Sequence, residues 1–223
     1  MIDFAAARRM MVDGQVRTSD VTDLRIIAAM LELPRERFVP AASADLAYLD
    51  LDVPVSEATS AEPARRLLKP MVLAKMVQAA GLKADDRVLD VGCATGYSSA
   101  LLGRLARSVV ALEEDPALAR LADESLKTMG AGNVTVVAGP LAQGCQLKSP
   151  FDVIFLNGAT EVVPQALCRQ LGDGGRLVTV MGRAPVCRAT VYRSVGGAVS
   201  GWPIFDAAAP LLPGFAEPPA FVF

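Results

Sequence analysis

The sequence contains no histidine among its 223 residues. Histidine is the commonest general base and the commonest metal ligand in proteins. Its absence excludes a Ser-His-Asp hydrolase, a histidine-bound zinc enzyme and a histidine proton relay. Any chemistry in this chain must proceed without imidazole.

Cysteine is also scarce, with four residues at Cys93, Cys145, Cys168 and Cys187. No two of them form a C-x-x-C pair, so the spacing argues against a zinc site or a thioredoxin-like site. Their wide separation in a chain of this length does not suggest a disulfide framework either. We therefore expect reduced, mostly buried thiols and no metal centre.

An excess of basic charge and long apolar runs are missing as well. Lys and Arg number 22 against 24 Asp and Glu, which argues against a nucleic-acid partner. Arg8, Arg9 and Asp13 interrupt the N-terminal segment before a signal-peptide apolar region can form. No stretch reaches the roughly 18 apolar residues that a membrane span requires. These absences predict a cytoplasmic protein without a membrane partner.

Hydrophobic residues make up 52% of the chain, enough to bury a sizeable core. Apolar strand-like runs alternate with helical stretches, which is typical of βαβ units. The runs cover residues 87–91, 108–112, 133–138, 151–156 and 175–181. The helical stretches cover 97–107, 116–129 and about 163–171. The pattern predicts an α/β fold with a doubly wound, mostly parallel, Rossmann-like sheet.

The flanks of this pattern predict the remaining organisation of a single domain over 1–223. Residues 1–81 form an N-terminal helical cap and a substrate loop, 82–182 the cofactor-binding core, and 183–223 a C-terminal β extension. Ser19 or Asp20 caps a helix that Pro34 ends, 41–63 is a long irregular loop, and Gly81 stops a helix over 70–81. Short strands follow at 189–195, 202–206 and 220–223.

The most informative segment is 88–97, in which an apolar strand ends at Asp90 and opens through Gly92 and Gly96 into a helix. In a doubly wound sheet, ligands bind at the carboxyl ends of the strands. The dinucleotide fingerprint G-x-G-x-x-G fails here at Ala94 and Tyr97, so a pyrophosphate ligand is not indicated.

A second acid, Glu113, ends the next strand, 23 residues after Asp90. A carboxylate at this position can accept hydrogen bonds from both hydroxyls of a ribose. The two acids and the glycine turn together indicate a nucleoside ligand without a pyrophosphate. S-adenosylmethionine fits, with Asp90 facing its ammonium group through the turn or a water and Glu113 its ribose.

Several segments together resemble the protein-L-isoaspartate O-methyltransferase family of class I S-adenosylmethionine-dependent methyltransferases. The resemblance runs from about residue 11 to 182. Its segments are 11–17, 34–40, 47–50 with Pro54, 88–97, 110–116, 151–154 and 171–178. It implies a methyltransferase fold, S-adenosylmethionine as cofactor, and methylation of the side-chain carboxylate of L-isoaspartyl residues in damaged proteins, which are repaired in this way. Damaged proteins or peptides are the implied partners.

The residue pattern and the resemblance together predict a set of site residues. The cofactor-binding positions are Asp90, Gly92, Cys93, Ala94, Gly96, Tyr97, Glu113, Gly139, Leu141 and Asn157. On the substrate side, Thr59 and Ser60 supply hydroxyl groups, Arg66 orients a carboxylate together with its neighbour Arg65, and Asn157 lies near the reacting groups.

The sequence departs from the family in two places. The family carries Thr-Ile-Ser-x-Pro at the methyl-transfer site, whereas this chain has Arg66-Leu-Leu-Lys69 before Pro70, so that Leu68 stands where the serine would be. The family also has an acid-glycine pair near the adenine, whereas here Gly139 is followed by Pro140. Two alternatives therefore stay open: a methyltransferase with another acceptor, and a non-catalytic cofactor-binding homologue.

The lack of histidine agrees with a carboxyl acceptor. A carboxylate is already ionised at neutral pH, so its methylation needs no general base. Holding the two reactants together supplies effective molarities of about 10⁵ M or more. Methylation of an amine or a phenol more often requires removal of a proton.

Overall fold

A computed structural model describes residues 2–58, 63–183 and 185–218 of the chain. The N-terminal cap contains helix α1 (Phe4–Met11) and helix α2 (Leu24–Glu32). Asp3 caps α1 by accepting the backbone N–H groups of Ala5 and Ala6. Both helices bury one apolar face against the rest of the cap, as amphipathic helices do.

The N-cap of α2 differs from the prediction. Asp23, and not Ser19 or Asp20, precedes the helix with extended backbone angles, and its carboxylate accepts the N–H of Arg25. Ser19 ends a 3₁₀ turn, and Asp20 lies in the left-handed region with φ 61°. An N-cap residue needs extended angles directly before the first helical residue, which only Asp23 has.

The segment predicted as an irregular loop has some regular structure. A 3₁₀ turn covers Ala41–Leu46, and strand β1 (Val53–Pro54) pairs antiparallel with strand β2 (Arg66–Leu67). The predicted site residues Thr59 and Ser60 lie outside the described residues. Helix α3 (Pro70–Ala80) follows and ends at Gly81, which has φ 56°, as predicted.

The remaining strands form one seven-stranded sheet. They are β3 (Arg87–Val91), β4 (Ser108–Glu113), β5 (Val134–Ala138), β6 (Phe151–Thr160), β7 (Leu171–Arg183), β8 (Val186–Val195) and β9 (Ala198–Asp206). The order across the sheet is β5-β4-β3-β6-β7-β8-β9. The five neighbours β5, β4, β3, β6 and β7 pair in parallel, whereas β8 pairs antiparallel with both β7 and β9. The predicted doubly wound, mostly parallel fold is confirmed.

The helices between these strands are shorter than the sequence predicted. Helix α4 (Tyr97–Gly103) and helix α5 (Pro116–Thr128) follow β3 and β4, but α6 (Gln165–Cys168) is a single turn. Pro164 precedes α6, and β7 already pairs with β6 at Leu171, so no room remains for a longer helix. The predicted strands at 189–195 and 202–206 are present within β8 and β9, and the one at 220–223 lies outside the described residues.

Two apolar clusters cover the two faces of the sheet. The larger joins the cap helices, α3, α4 and α5 to one face. The smaller lies on the other face and includes Leu212 and Phe215 from the segment after β9. That segment returns to the carboxyl end of β6, where Leu212 N–H donates to Ala159 and Ala159 N–H donates to Pro210.

The strand order places a potential ligand site between β3 and β6. The connection from β3 runs to β4 on one side, and the later strands continue on the other, so the order reverses at this point. Such a reversal leaves a crevice at the carboxyl ends of the two strands. Among the residues that the structure describes, no helix is both long and apolar enough to cross a membrane.

Candidate active site

Asp90 is fully buried at the end of β3. Its carboxylate accepts hydrogen bonds from the hydroxyls of Ser98 (2.8 Å) and Ser99 (2.5 Å) on α4, and from the side-chain amide of Asn157 on β6. Burial raises the pKa of Asp90 to about 6, although these three donors act in the opposite direction. Asp90 therefore joins β3, α4 and β6 and sets the shape of the turn between them.

The turn after Asp90 needs glycine at two places. Gly92 has φ 74° and Gly96 has φ 94°, and both angles are unfavourable for residues with a Cβ. A Cβ on Gly92 would lie 2.9 Å from Nη2 of Arg65 and 2.9 Å from Cδ2 of Leu212. The absent side chain thus leaves the turn open to close approach by other groups, as the sequence predicted for a ligand.

Cys93 and Tyr97 are buried within the same turn and helix start. Burial, together with the negative charges of Asp90 and Glu113, raises the pKa of the Cys93 thiol well above its ordinary value. The thiol is therefore protonated at neutral pH and is a poor nucleophile. Tyr97 packs edge-on against Phe38, with 5.4 Å between ring centroids, so its ring covers the start of α4.

Glu113 lies at the end of β4, beside the glycine turn, as the spacing predicted. Its side chain is 0% exposed, and it accepts backbone N–H groups from Ala94 (2.7 Å), Glu114 (2.9 Å) and Asp115 (3.2 Å). The bond to Ala94 ties the turn after β3 to the end of β4. Glu113 is thus a preorganised carboxylate at the edge of the crevice.

Arg65 is a site residue that sequence reasoning placed only on the substrate side. Its guanidinium forms two parallel hydrogen bonds with Glu113, from Nη1 to Oε1 at 2.9 Å and from Nη2 to Oε2 at 3.2 Å. This bidentate geometry is the strongest arrangement between these two side chains. Arg65 therefore binds the carboxylate of Glu113, to which the sequence analysis assigned a ribose.

Two cavities adjoin this ion pair. An open cleft of 390 Å³ is lined by Ser56, Glu57, Pro63, Arg65, Glu114, Asp115, Pro116 and Pro213. A much smaller pocket of about 10 Å³ is lined by Gly92, Cys93, Ala94, Tyr97, Ser98 and Asn157 with Arg35, Leu73 and residues 66–68. Because Arg65 lines the cleft and its Nη2 lies against Gly92, its side chain stands between the two cavities.

The end of β5 also reaches this edge. Gly139 N–H donates to the carbonyl of Glu113 at 2.9 Å. Leu141 is buried, and its Cδ1 lies 3.5 Å from the position of a Cβ on Gly92. The structure thus brings both predicted adenine-side positions, Gly139 and Leu141, next to the turn and to Glu113.

Leu68 lies in the segment that leads into α3. Its side chain is buried in the wall of the smaller pocket, and its carbonyl accepts a 2.7 Å hydrogen bond from Arg35. Arg35 is fully buried, stacks on Tyr97 and also donates to Ala47. Sequence reasoning assigned no role to Arg35, and a positively charged residue within the segment 34–40 was its only visible signal. Arg66 is exposed and donates to the carbonyl of Asp52 at 3.0 Å.

A family model described as Protein-L-isoaspartate(D-aspartate) O-methyltransferase matches residues 7–196 of this chain. A protein-L-isoaspartate O-methyltransferase of Koribacter versatilis is 37% identical over 196 residues, which span 87% of this chain and 85% of the relative.

Two solved structures share the fold. One, a protein-L-isoaspartate O-methyltransferase, has a TM-score of 0.79 at 24% identity, over 93% of this chain and 66% of that chain. The other, from Plasmodium falciparum and described as a protein-L-isoaspartate O-methyltransferase in complex with S-adenosyl-L-homocysteine, has a TM-score of 0.77 at 16% identity, over 95% of this chain and 99% of that chain. At these identities, the two structures support the fold alone.

Proposed function

Because this chain belongs to the protein-L-isoaspartate(D-aspartate) O-methyltransferase family, we propose that its crevice transfers a methyl group to the side-chain carboxylate of L-isoaspartyl residues in damaged proteins. The chain is a methyltransferase, and S-adenosylmethionine is its methyl donor. Cofactor binding and acceptor positioning fall to two different groups of residues around the glycine turn.

One observation carries the assignment of the cofactor site: the carboxylate of Glu113 lies beside the glycine turn at the point where the strand order reverses. The residues fit a nucleoside, because Gly92 leaves the space that a Cβ would fill, and the carboxylate of Glu113 can accept a ribose hydroxyl in place of Arg65. Gly139 and Leu141 stand at the adjoining strand end, where an adenine would lie. The side-chain ends of Arg65 and Leu212 hold this space in the structure.

When bound, S-adenosylmethionine supplies an electrophilic methyl group on a sulfonium centre. The chain has to hold an ionised acceptor in line with that centre and exclude water, and no residue has to remove a proton. Leu68, Cys93 and Tyr97 supply buried, largely apolar surface to the pocket wall. We assign the acceptor side to Arg66, Asn157, Thr59 and Ser60, with Arg66 attracting the carboxylate and the hydroxyls of Thr59 and Ser60 donating to it.

Leu68 is the observation that favours a second candidate. A buried leucine cannot donate the hydrogen bond that a serine would offer to an acceptor, and its carbonyl is already used by Arg35. The second candidate is therefore methylation of a different carboxyl acceptor in the same crevice.

A matched pair of peptides tests the proposed function. The two peptides share one sequence and contain either L-isoaspartate or L-aspartate at a single position. We expect the chain, as a member of this family, to transfer labelled methyl from S-adenosylmethionine to the isoaspartyl peptide only. The product should be a base-labile ester, because the acceptor is a carboxylate.

Binding of S-adenosylhomocysteine, measured by calorimetry, completes this test. Binding without transfer to the isoaspartyl peptide would contradict the acceptor and leave the second candidate. No binding at millimolar concentration would contradict the methyltransferase assignment itself.

A further inference from the structure

Arg65 and the cofactor's ribose require the same acceptor. Oε1 of Glu113 accepts from Glu114 N–H, Asp115 N–H and Nη1 of Arg65, and Oε2 accepts from Ala94 N–H and Nη2 of Arg65. A carboxylate offers about four lone-pair positions, so these five hydrogen bonds leave it saturated.

Removal of Arg65 would take one hydrogen bond from each oxygen of Glu113. Oε1 would keep the N–H groups of Glu114 and Asp115, whereas Oε2 would keep only that of Ala94, so one lone-pair position becomes free on Oε2. The three backbone N–H groups would keep the carboxylate in place, because they come from the turn and from the strand end. A ribose hydroxyl can then bind Oε2 at the position that Nη2 of Arg65 now holds.

The withdrawal needs only a side-chain movement. The backbone of Arg65 is fixed, since its N–H donates to the hydroxyl of Ser56 and its carbonyl accepts the N–H of Val55. The arginine side chain is long and has several rotatable bonds, and it lies at the wall of the open cleft. Its departure would join the cleft of 390 Å³ to the smaller pocket beside Gly92.

Leu212 covers the same turn from the other side. Its Cδ2 would lie 2.9 Å from a Cβ on Gly92 and 2.9 Å from a Cβ on Gly158. Leu212 is 3% exposed and packs in the smaller core cluster, so it is the less movable part of the cover over this turn. Arg65, at the wall of the cleft, is the part that a side-chain movement can withdraw.

We infer that Arg65 is an intramolecular competitor of the cofactor: the ribose and the guanidinium exchange as ligands of Glu113, and the crevice is closed whenever Arg65 holds it. The inference rests on the proposed cofactor site and adds the device that regulates access to it. The ion pair between Arg65 and Glu113 is lost when the cofactor binds. It therefore stabilises the cofactor-free chain and lowers its affinity for the cofactor.

Calorimetry with S-adenosylhomocysteine and with adenosine tests this inference. In Arg65→Gln the competing cation is gone, so both ligands should bind about tenfold more tightly than to the wild type, which corresponds to about 1.4 kcal/mol. Arg104→Gln is the matched control, because it removes an arginine from an exposed ion pair with Glu32 and should leave both affinities unchanged.

A second variant provides an independent measurement. Arg65→Lys keeps the charge but loses the bidentate fork, and its affinity should fall between the other two. Circular dichroism checks that each variant is folded.

The possible outcomes separate the two proposals. Equal affinities in wild type and Arg65→Gln would overturn the competition, and weaker binding by the variant would make Arg65 a ligand contact instead. If neither form binds S-adenosylhomocysteine at millimolar concentration, the proposed function fails. If Arg65→Gln does not fold, the affinity of Arg65→Lys decides the question.

Discussion

At the scale of single residues, the most constrained group is the carboxylate of Asp90. It is fully buried, and Glu113 adds a second negative charge nearby. Burial raises its pKa from 3.8 to about 6, and hydrogen bonds from Ser99, Ser98 and Asn157 offset only part of this effect. The ionised form of Asp90 is therefore less favourable in the folded chain than in the unfolded chain.

This pKa gives stability a pH dependence with a definite sign. Between about pH 4 and pH 6 the folded chain keeps a proton on Asp90 that the unfolded chain has released. The free energy of unfolding should therefore fall as pH rises through this window, by about 1–3 kcal/mol from this group, and should be constant above it. In Asp90→Asn, which keeps the side-chain shape, that component should be absent.

Urea denaturation at several pH values between 4 and 7 measures the difference between Asp90→Asn and wild type. Glu124→Gln controls for the loss of one negative charge, because Glu124 is exposed on α5. Parallel pH curves for wild type and Asp90→Asn would contradict the raised pKa.

Individual site residues differed in how far the sequence could predict them. Glu113 and Gly92 were predictable, because a strand end and its turn are local features. The partnership of Arg65 with Glu113 was not, because the two residues are 48 positions apart. The structure shows that Arg65 pairs with Glu113, whereas the neighbouring Arg66 is exposed and donates to the carbonyl of Asp52.

At the scale of elements, Gln78 links α3 to the segment that leads into α2. Its side-chain oxygen accepts the N–H groups of Thr22 (2.7 Å) and Asp23 (3.1 Å), and its amide donates to the carbonyl of Asp20 (2.9 Å). Ser19, Asp20 and Asp23 are all suitable N-cap residues by type. The contact with Gln78 lies far away in sequence, which explains why the prediction from sequence named the wrong cap.

Gln78→Ala should destabilise the chain by about 1–3 kcal/mol, because three backbone groups lose their partner at once. Gln146→Ala is the matched control, since Gln146 is exposed, and it should change the free energy of unfolding by less than about 0.5 kcal/mol. Chemical denaturation of both variants measures the difference. Equal stability of the two variants would show that the link contributes nothing.

At the scale of the whole molecule, the segment after β9 completes the second core cluster. Phe215 is 2% exposed and packs in the cluster that also contains Leu141 and Leu156. Its carbonyl accepts the N–H of Glu161 just beyond β6. The alternating pattern predicted the sheet and its parallel half, but it could not predict this return, because the paired residues lie about fifty positions apart and no periodic pattern marks them.

Phe215→Ala should lower the free energy of unfolding by about 3–5 kcal/mol, because it leaves a cavity in a closed cluster. Leu211→Ala, one of its near neighbours, removes a side chain that is 36% exposed and should have a much smaller effect. Denaturation with urea, followed by circular dichroism, compares the two. A loss below about 1 kcal/mol in Phe215→Ala would mean that the segment after β9 contributes little to the fold.

Leu212 belongs both to this cluster and to the cover over Gly92. A substitution that packs the returning segment more firmly would raise the free energy of unfolding. By the same contact it would hold Leu212 over Gly92 and hinder cofactor binding. Stability and turnover are thus set against each other at one side chain, and directed evolution for heat resistance at this segment should select against catalytic rate.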